Sequence, residues 1–110
     1  MSDELVKSFS ALADPTRLAI VERLMAEGEL PAGDIVAGVD ITAPAISRHL
    51  KVLRDAGLIR QRAEGTKRIY SADARGLRRI ADWTLSRRIY WDSQFDRLAA
   101  AIDLEGGPDA

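Results

Sequence analysis

The sequence predicts a mainly α-helical chain interrupted once by a small β-hairpin, in the order α-α-α-α-β-β-α, and three observations predict it. Apolar residues recur at three- and four-residue steps through most of the 110 residues, the period of helices with one buried face. Between positions 58 and 71 that period gives way to two short extended runs whose connection contains Gly65, the signature of a hairpin. Helical periodicity then returns and persists almost to the end.

Each element follows from its own residues. Leu5, Val6, Phe9, Leu12 and Ala13 set a short amphipathic helix over residues 3–13. Asp14-Pro15 interrupts it: the carboxylate can cap a following helix, and proline suits a first helical turn. Leu18, Ile20, Val21, Leu24 and Met25 carry that second helix to Gly28, a C-terminal stop. Glu29 to Pro31 reads as a connector, and Ala32–Ala37 as a two-turn helix with Ile35 and Val36 inward, stopped near Gly38. Thr42 can cap a fourth helix with Pro44 in its first turn, where a missing N–H costs little. Ile46, Leu50 and Leu53 lie on one face of it, and it ends at Ala56-Gly57. Leu58–Arg62 and Lys67–Ser71 are the two strands, joined by Ala63-Glu64-Gly65-Thr66. A last helix runs from about Asp73 to about Ile102 through Leu77, Ile80, Ala81, Leu85, Trp91, Phe95 and Leu98. The expected organisation is one domain over residues 1–104 and a frayed tail, 105–110. A short helix, a tight turn, a second helix and a basic hairpin make a winged helix-turn-helix, in which the helix after the turn enters the DNA major groove.

Charge points the same way once it is resolved along the chain. The formal total is -1, from 16 Lys and Arg against 17 Asp and Glu. Residues 44–79, however, hold ten basic against three acidic residues, a local +7. Residues 1–43 stand at -5, from three basic and eight acidic, and residues 80–110 at -3, from three basic and six acidic. Such asymmetry speaks of a partner rather than of a fold. There is no cysteine and a single histidine, His49, so disulfides and thiolate metal sites are excluded and any imidazole catalysis would run through one residue. Neither a glycine-rich phosphate loop nor an apolar run long enough to span a membrane occurs, and the acidic start lacks signal-peptide character. The expectation is a cytoplasmic, non-enzymatic protein with no cofactor, no metal and no membrane partner.

The residues expected to meet DNA lie in the helix 42–57 and the wing 58–71. On the helix, Pro44, Ala45, Ser47, Arg48 and Lys51 lie opposite Ile46, Leu50 and Leu53, and Thr42 and Arg54 are expected to join them at the DNA. An arginine can contact guanine bidentately, whereas serine and lysine more often hold phosphate and fix register. The bland alternative is a solvated helix face. His49 sits at the stripe's edge, with a structural role weighed against a phosphate or base contact; it has no companions for a metal site and no nucleophile beside it. On the wing, Arg60 and Arg62 share one strand face by the period of two, with Lys67 and Arg68 on the second strand, a pattern suited to backbone phosphates or the minor groove. Edge strands also carry Lys and Arg simply to block aggregation.

The terminal helix carries a second expectation. Trp91, Phe95, Leu98 and Ile102 step by four, three and four residues and form one apolar stripe on a helix too long for its own domain to cover. Together with Leu5, Phe9, Leu12 and Trp83 these residues form an expected homodimer seam. Burial within one chain, or a ligand pocket lined by Trp83, Tyr90, Trp91 and Phe95, are the alternatives.

Four stretches carry a family resemblance. They are Leu12-Ala13-Asp14-Pro15-Thr16-Arg17, Ile20-Val21-Glu22-Arg23-Leu24, Ala45-Ile46-Ser47-Arg48-His49-Leu50-Lys51-Val52-Leu53-Arg54-Asp55-Ala56-Gly57-Leu58-Ile59, and Gly65-Thr66-Lys67-Arg68-Ile69-Tyr70. Together they resemble the ArsR family of bacterial winged-helix repressors over about residues 5–102. The resemblance implies a homodimer, joined through its first and last helices, that binds a palindromic operator in double-stranded DNA and releases it on a signal. Metal-sensing members carry two cysteines where this sequence has Pro31 and Gly33, within Glu29-Leu30-Pro31-Ala32-Gly33-Asp34-Ile35, and its terminal helix has no histidine. It therefore resembles a cysteine-free, non-metal-sensing branch, whose signal could be an organic inducer, a partner protein or the protein's own concentration. A winged helix that binds a protein and no DNA is the second reading.

Overall fold

The computed structural model describes residues 3–106, with the side chains of residues 3–103. The elements are α1 (Asp3–Leu12), α2 (Pro15–Glu27), β1 (Leu30–Pro31), α3 (Ala32–Ala37), α4 (Ala43–Asp55), β2 (Ile59–Glu64), β3 (Lys67–Ala72) and α5 (Ala74–Gly106). They divide into two compact units, residues 1–80 and 81–110, the second holding the distal part of α5. The expected tail from residue 105 falls partly on this helix, and its residues 107–110 lie outside the described ones. The architecture is mainly helical with a small antiparallel sheet, a winged helix-turn-helix.

Local chemistry starts and stops the helices that matter for the site. Asp14 Oδ2 accepts the backbone N–H of Arg17 at 3.0 Å, which caps α2, and Thr42 Oγ1 accepts that of Ala45 at 3.3 Å, which caps α4. α4 ends in a Schellman motif: Leu58 N–H donates to Leu53 C=O and Gly57 N–H to Arg54 C=O, both at 3.0 Å. Gly57 holds φ at +76°, the left-handed conformation this motif needs and a side chain would resist. Asp73, nearly buried, caps α5 by accepting the Arg75 N–H at 3.0 Å. Burial works to raise the Asp73 pKa, but the hydrogen bonds and charge of Arg75 outweigh it and hold the carboxyl below its usual range.

Ile20, Val21 and Leu24 of α2, Ile35 of α3, and Ile46, Leu50 and Leu53 of α4 form the centre of the core, closed by Leu58, Ile59 and Tyr70. Burying each aliphatic side chain of this kind contributes about 1.5–3 kcal/mol. α1 is tied to the end of α4 by the buried Ser8, whose hydroxyl donates to Glu4 C=O at 3.0 Å and lies 3.4 Å from Ala56 C=O.

The sheet departs from the sequence expectation in two places. Leu30–Pro31 is not a connector but a strand, and the sheet has three strands in the order β1-β3-β2, with Leu30 opposite Tyr70 and Pro31 opposite Ile69. Two residues are too few to show a period, and a proline, lacking an N–H, is tolerated here because β1 lies at the edge. The hairpin is also longer than expected: β2 runs on through Ala63, opposite Arg68, and Glu64, opposite Lys67. Only Gly65-Thr66 turns. Gly65 has φ +63° while Thr66 is not positive, the pattern of a type II′ turn, whose twist suits paired strands.

Candidate nucleic-acid interface

Burial of Ile46, Leu50 and Leu53, all at most 4% exposed, fixes which side of α4 is free. Thr42, Pro44, Ser47, Arg48 and Lys51 are exposed, and Ala45, His49 and Arg54 are half-buried. Their roles differ. The Thr42 hydroxyl serves as the helix cap. Lys51 Nζ is 2.9 Å from Asp55 Oδ2, one turn on, and lowers that carboxyl's pKa chiefly by this hydrogen bond. Arg48 is in no hydrogen bond or ion pair among the described residues, so its guanidinium keeps all five donors for a partner. His49 turns toward the start of α2, with Nδ1 3.2 Å from Arg17 Nη1 and 3.9 Å from Asp14 Oδ2.

On the wing, the register puts Arg60, Arg62 and Lys67 on one face and Arg68 on the other. All four are exposed. Arg62 is nonetheless occupied: its Nε donates to Glu29 Oε2 at 2.6 Å, and its Nη1 lies 2.9 Å from Glu64 Oε2. The hydrogen bond from Arg62 lowers the Glu29 pKa, and that carboxylate in turn raises the pKa of Arg62. Arg60, Lys67 and Arg68 are in no ion pair among the described residues. Sequence reading missed the partners Glu29, Asp14 and Arg17. Glu29 and Arg62 are 33 positions apart, and no pattern in the sequence signals their pairing.

Residues 12–62 match the model of a family described as a helix-turn-helix domain. The chain is 42% identical over 100 residues to the HTH-type transcriptional regulator Rv2034 of Mycobacterium tuberculosis, an alignment covering 91% of this chain and 90% of that one. It is 36% identical over 78 residues to the transcriptional repressor SdpR of Bacillus subtilis, covering 71% and 86% of the two chains. The crystal structure of an ArsR family transcriptional regulator superposes with a TM-score of 0.73 at 28% identity, over 83% of this chain and 93% of the other. The chain belongs to the ArsR-like winged helix-turn-helix regulators. The solution structure of a homodimeric winged helix-turn-helix DNA-binding domain from Mycobacterium bovis is similar as well, with a TM-score of 0.63 at 25% identity, covering 86% of this chain and 84% of that one.

In this ArsR-like chain Pro31 and Gly33 fall at the end of β1 and the start of α3, and neither offers a metal-binding side chain. No helix among the described residues is long and apolar enough to cross a membrane. The residues expected at a dimer seam divide by exposure. Leu5 is buried within its own chain, Leu12 and Trp83 are half-buried, and Phe9 is 37% exposed. Trp91 is 49% exposed, Phe95 60%, and Leu98 and Ile102 59% each. The Trp91 and Phe95 rings stack with centroids 5.9 Å apart, and Arg87 covers the Trp83 ring at 4.8 Å.

Proposed function

We propose that this ArsR-like regulator is a cytoplasmic homodimeric repressor that binds a palindromic operator and senses no metal. In this reading α4 lies in the major groove, the β2–β3 wing follows the phosphate backbone, and Trp91, Phe95, Leu98 and Ile102 of α5 contribute to the dimer seam. The observation that carries it is Arg48, exposed and unpaired among the described residues, on the free face of a capped and core-anchored α4, flanked by Ser47 and Lys51 and followed by a basic wing. The similarity to a named repressor and to a homodimeric DNA-binding domain supports it. Repression then needs only occupancy of the promoter, and the protein works by binding rather than by catalysis.

The test is equilibrium binding to DNA from the protein's own promoter. Arg48→Ala is expected to weaken specific binding by about 1–3 kcal/mol and flatten sequence preference, because a guanine contact of that worth is lost. Lys67→Ala is expected to leave preference intact and reduce the slope of log affinity against log salt by about one, the mark of a lost phosphate contact. Unchanged preference in Arg48→Ala would remove α4 from the reading role. Binding indifferent to salt would favour a protein partner instead.

A further inference from the structure

Three elements of the first unit meet at the Arg17 side chain. Its Nε donates to the Ala11 carbonyl at the end of α1, at 2.7 Å. Its Nη1 lies 3.2 Å from Nδ1 of His49 on α4. Its own backbone N–H is held by the Asp14 cap, whose Oδ2 is 3.9 Å from the same Nδ1. A guanidinium has donors only and does not deprotonate in proteins. At 3.2 Å it therefore hydrogen-bonds a ring nitrogen only if that nitrogen is the acceptor. Read as that hydrogen bond, the contact puts the lone pair on His49 Nδ1 and a ring proton on Nε2. That nitrogen is in no hydrogen bond among the described residues and is not among the buried, unsatisfied atoms.

We propose that Arg17 is a positioning residue for DNA binding: it locks His49 as the neutral Nε2–H tautomer, so that α4 offers one uncharged N–H donor to a DNA phosphate beside the charged Arg48. This rests on the DNA-binding reading above and adds a residue to it. The group that orients an imidazole by bonding to one nitrogen decides what the other nitrogen can do. A neutral donor has a further consequence. It strengthens the contact without displacing a counterion, so its contribution is independent of salt.

His49 is the only histidine, so the long-range ¹⁵N–¹H spectrum of the full chain reports its two ring nitrogens without ambiguity. At neutral pH the wild type is expected to show the Nε2–H tautomer; a dominant Nδ1–H form overturns the proposal. His49→Leu is expected to lower operator affinity by about ten- to a hundredfold, the worth of a hydrogen bond to a charged group, with the salt slope unchanged. A slope that drops by about one would mean a cationic ring and would also overturn it. His49→Gln, whose amide N–H extends about as far as Nε2–H, should keep affinity close to that of the wild type. Arg17→Met should mix the tautomers and weaken binding in the wild-type background, yet have little effect in the His49→Gln background. An equal loss in both backgrounds would make Arg17 a plain tie between helices and sink the idea. If Arg17→Met does not fold, a dominant Nδ1–H form in the wild type or a reduced salt slope in His49→Leu still overturns the proposal. A wild type that binds no specific DNA would refute the DNA-binding reading itself, a result distinct from each of these.

Discussion

Arg48 and Arg62 are the same residue type on neighbouring basic elements, but their surroundings give them different work. Arg48 has no competing acid among the described residues, whereas Arg62 is held by Glu29 at 2.6 Å and Glu64 at 2.9 Å. A DNA phosphate can gain Arg62 only by displacing a carboxylate already in place. Glu29→Gln is therefore expected to raise operator affinity severalfold and to steepen the salt slope by up to about one, as a wing cation is freed. A weaker complex in that titration would mean that the ion pair holds the wing in its binding posture. The pH dependence follows from the sign of the shift. Arg62 keeps the Glu29 pKa below its ordinary value, so the pair's contribution is present above the usual carboxylate range and is lost as pH falls through the depressed value. It is intact at neutral pH. Both partners are about half exposed, so the contribution is small and screened by salt.

Among elements, the close approach of α5 to the end of α4 sets the tightest packing requirement. A Cβ at Gly76, in the first turn of α5, would overlap both the oxygen and the carbon of the Gly57 carbonyl. Backbone cannot swing aside as a long side chain does. Gly76→Ala is expected to cost about 1–3 kcal/mol or more as an overpacking change, read as a lower midpoint in thermal unfolding. An unchanged midpoint would show that α5 can shift outward freely. The helices themselves were legible because their caps are local: Asp14, Thr42 and Gly57 each act within a few residues. β1 was not, since Leu30–Pro31 is extended only by virtue of pairing with Ile69 and Tyr70, nearly forty positions away. The hairpin's true ends were hidden for a related reason. Ala63 and Glu64 have no apolar alternation, and ladder pairing rather than burial keeps them in the strand.

For the whole molecule, charge and apolar surface bear on two different partners. The local +7 of residues 44–79 covers α4, the wing and the first turns of α5. The terminal helix instead exposes Trp91, Phe95, Leu98 and Ile102, each about half exposed or more, along one stripe. Burying such a stripe against a second copy is strongly favourable at about 25 cal/mol per Å² of apolar area. Trp91→Asp is expected to place a charge in that seam and convert the dimer to a monomer of half the mass in light scattering. Retention of the dimer mass would put the seam elsewhere. Leu5 contributes little to such a surface, because the chain's own core already covers it.

The sequence by itself determined the helices, the hairpin, the basic middle third and the identity of the residues on the free face of α4. These are properties of periodicity, capping and turn chemistry, all of which act over a few residues. Only the tertiary structure decided which of the basic side chains remain unpaired, that Leu30–Pro31 joins the sheet, and that Arg17 and Asp14 stand against His49. Those outcomes depend on pairings across 32 to 40 positions, such as Arg17 with His49 and Leu30 with Tyr70. No local pattern encodes them, because a side chain's partner at that range is set by how the core brings the elements together.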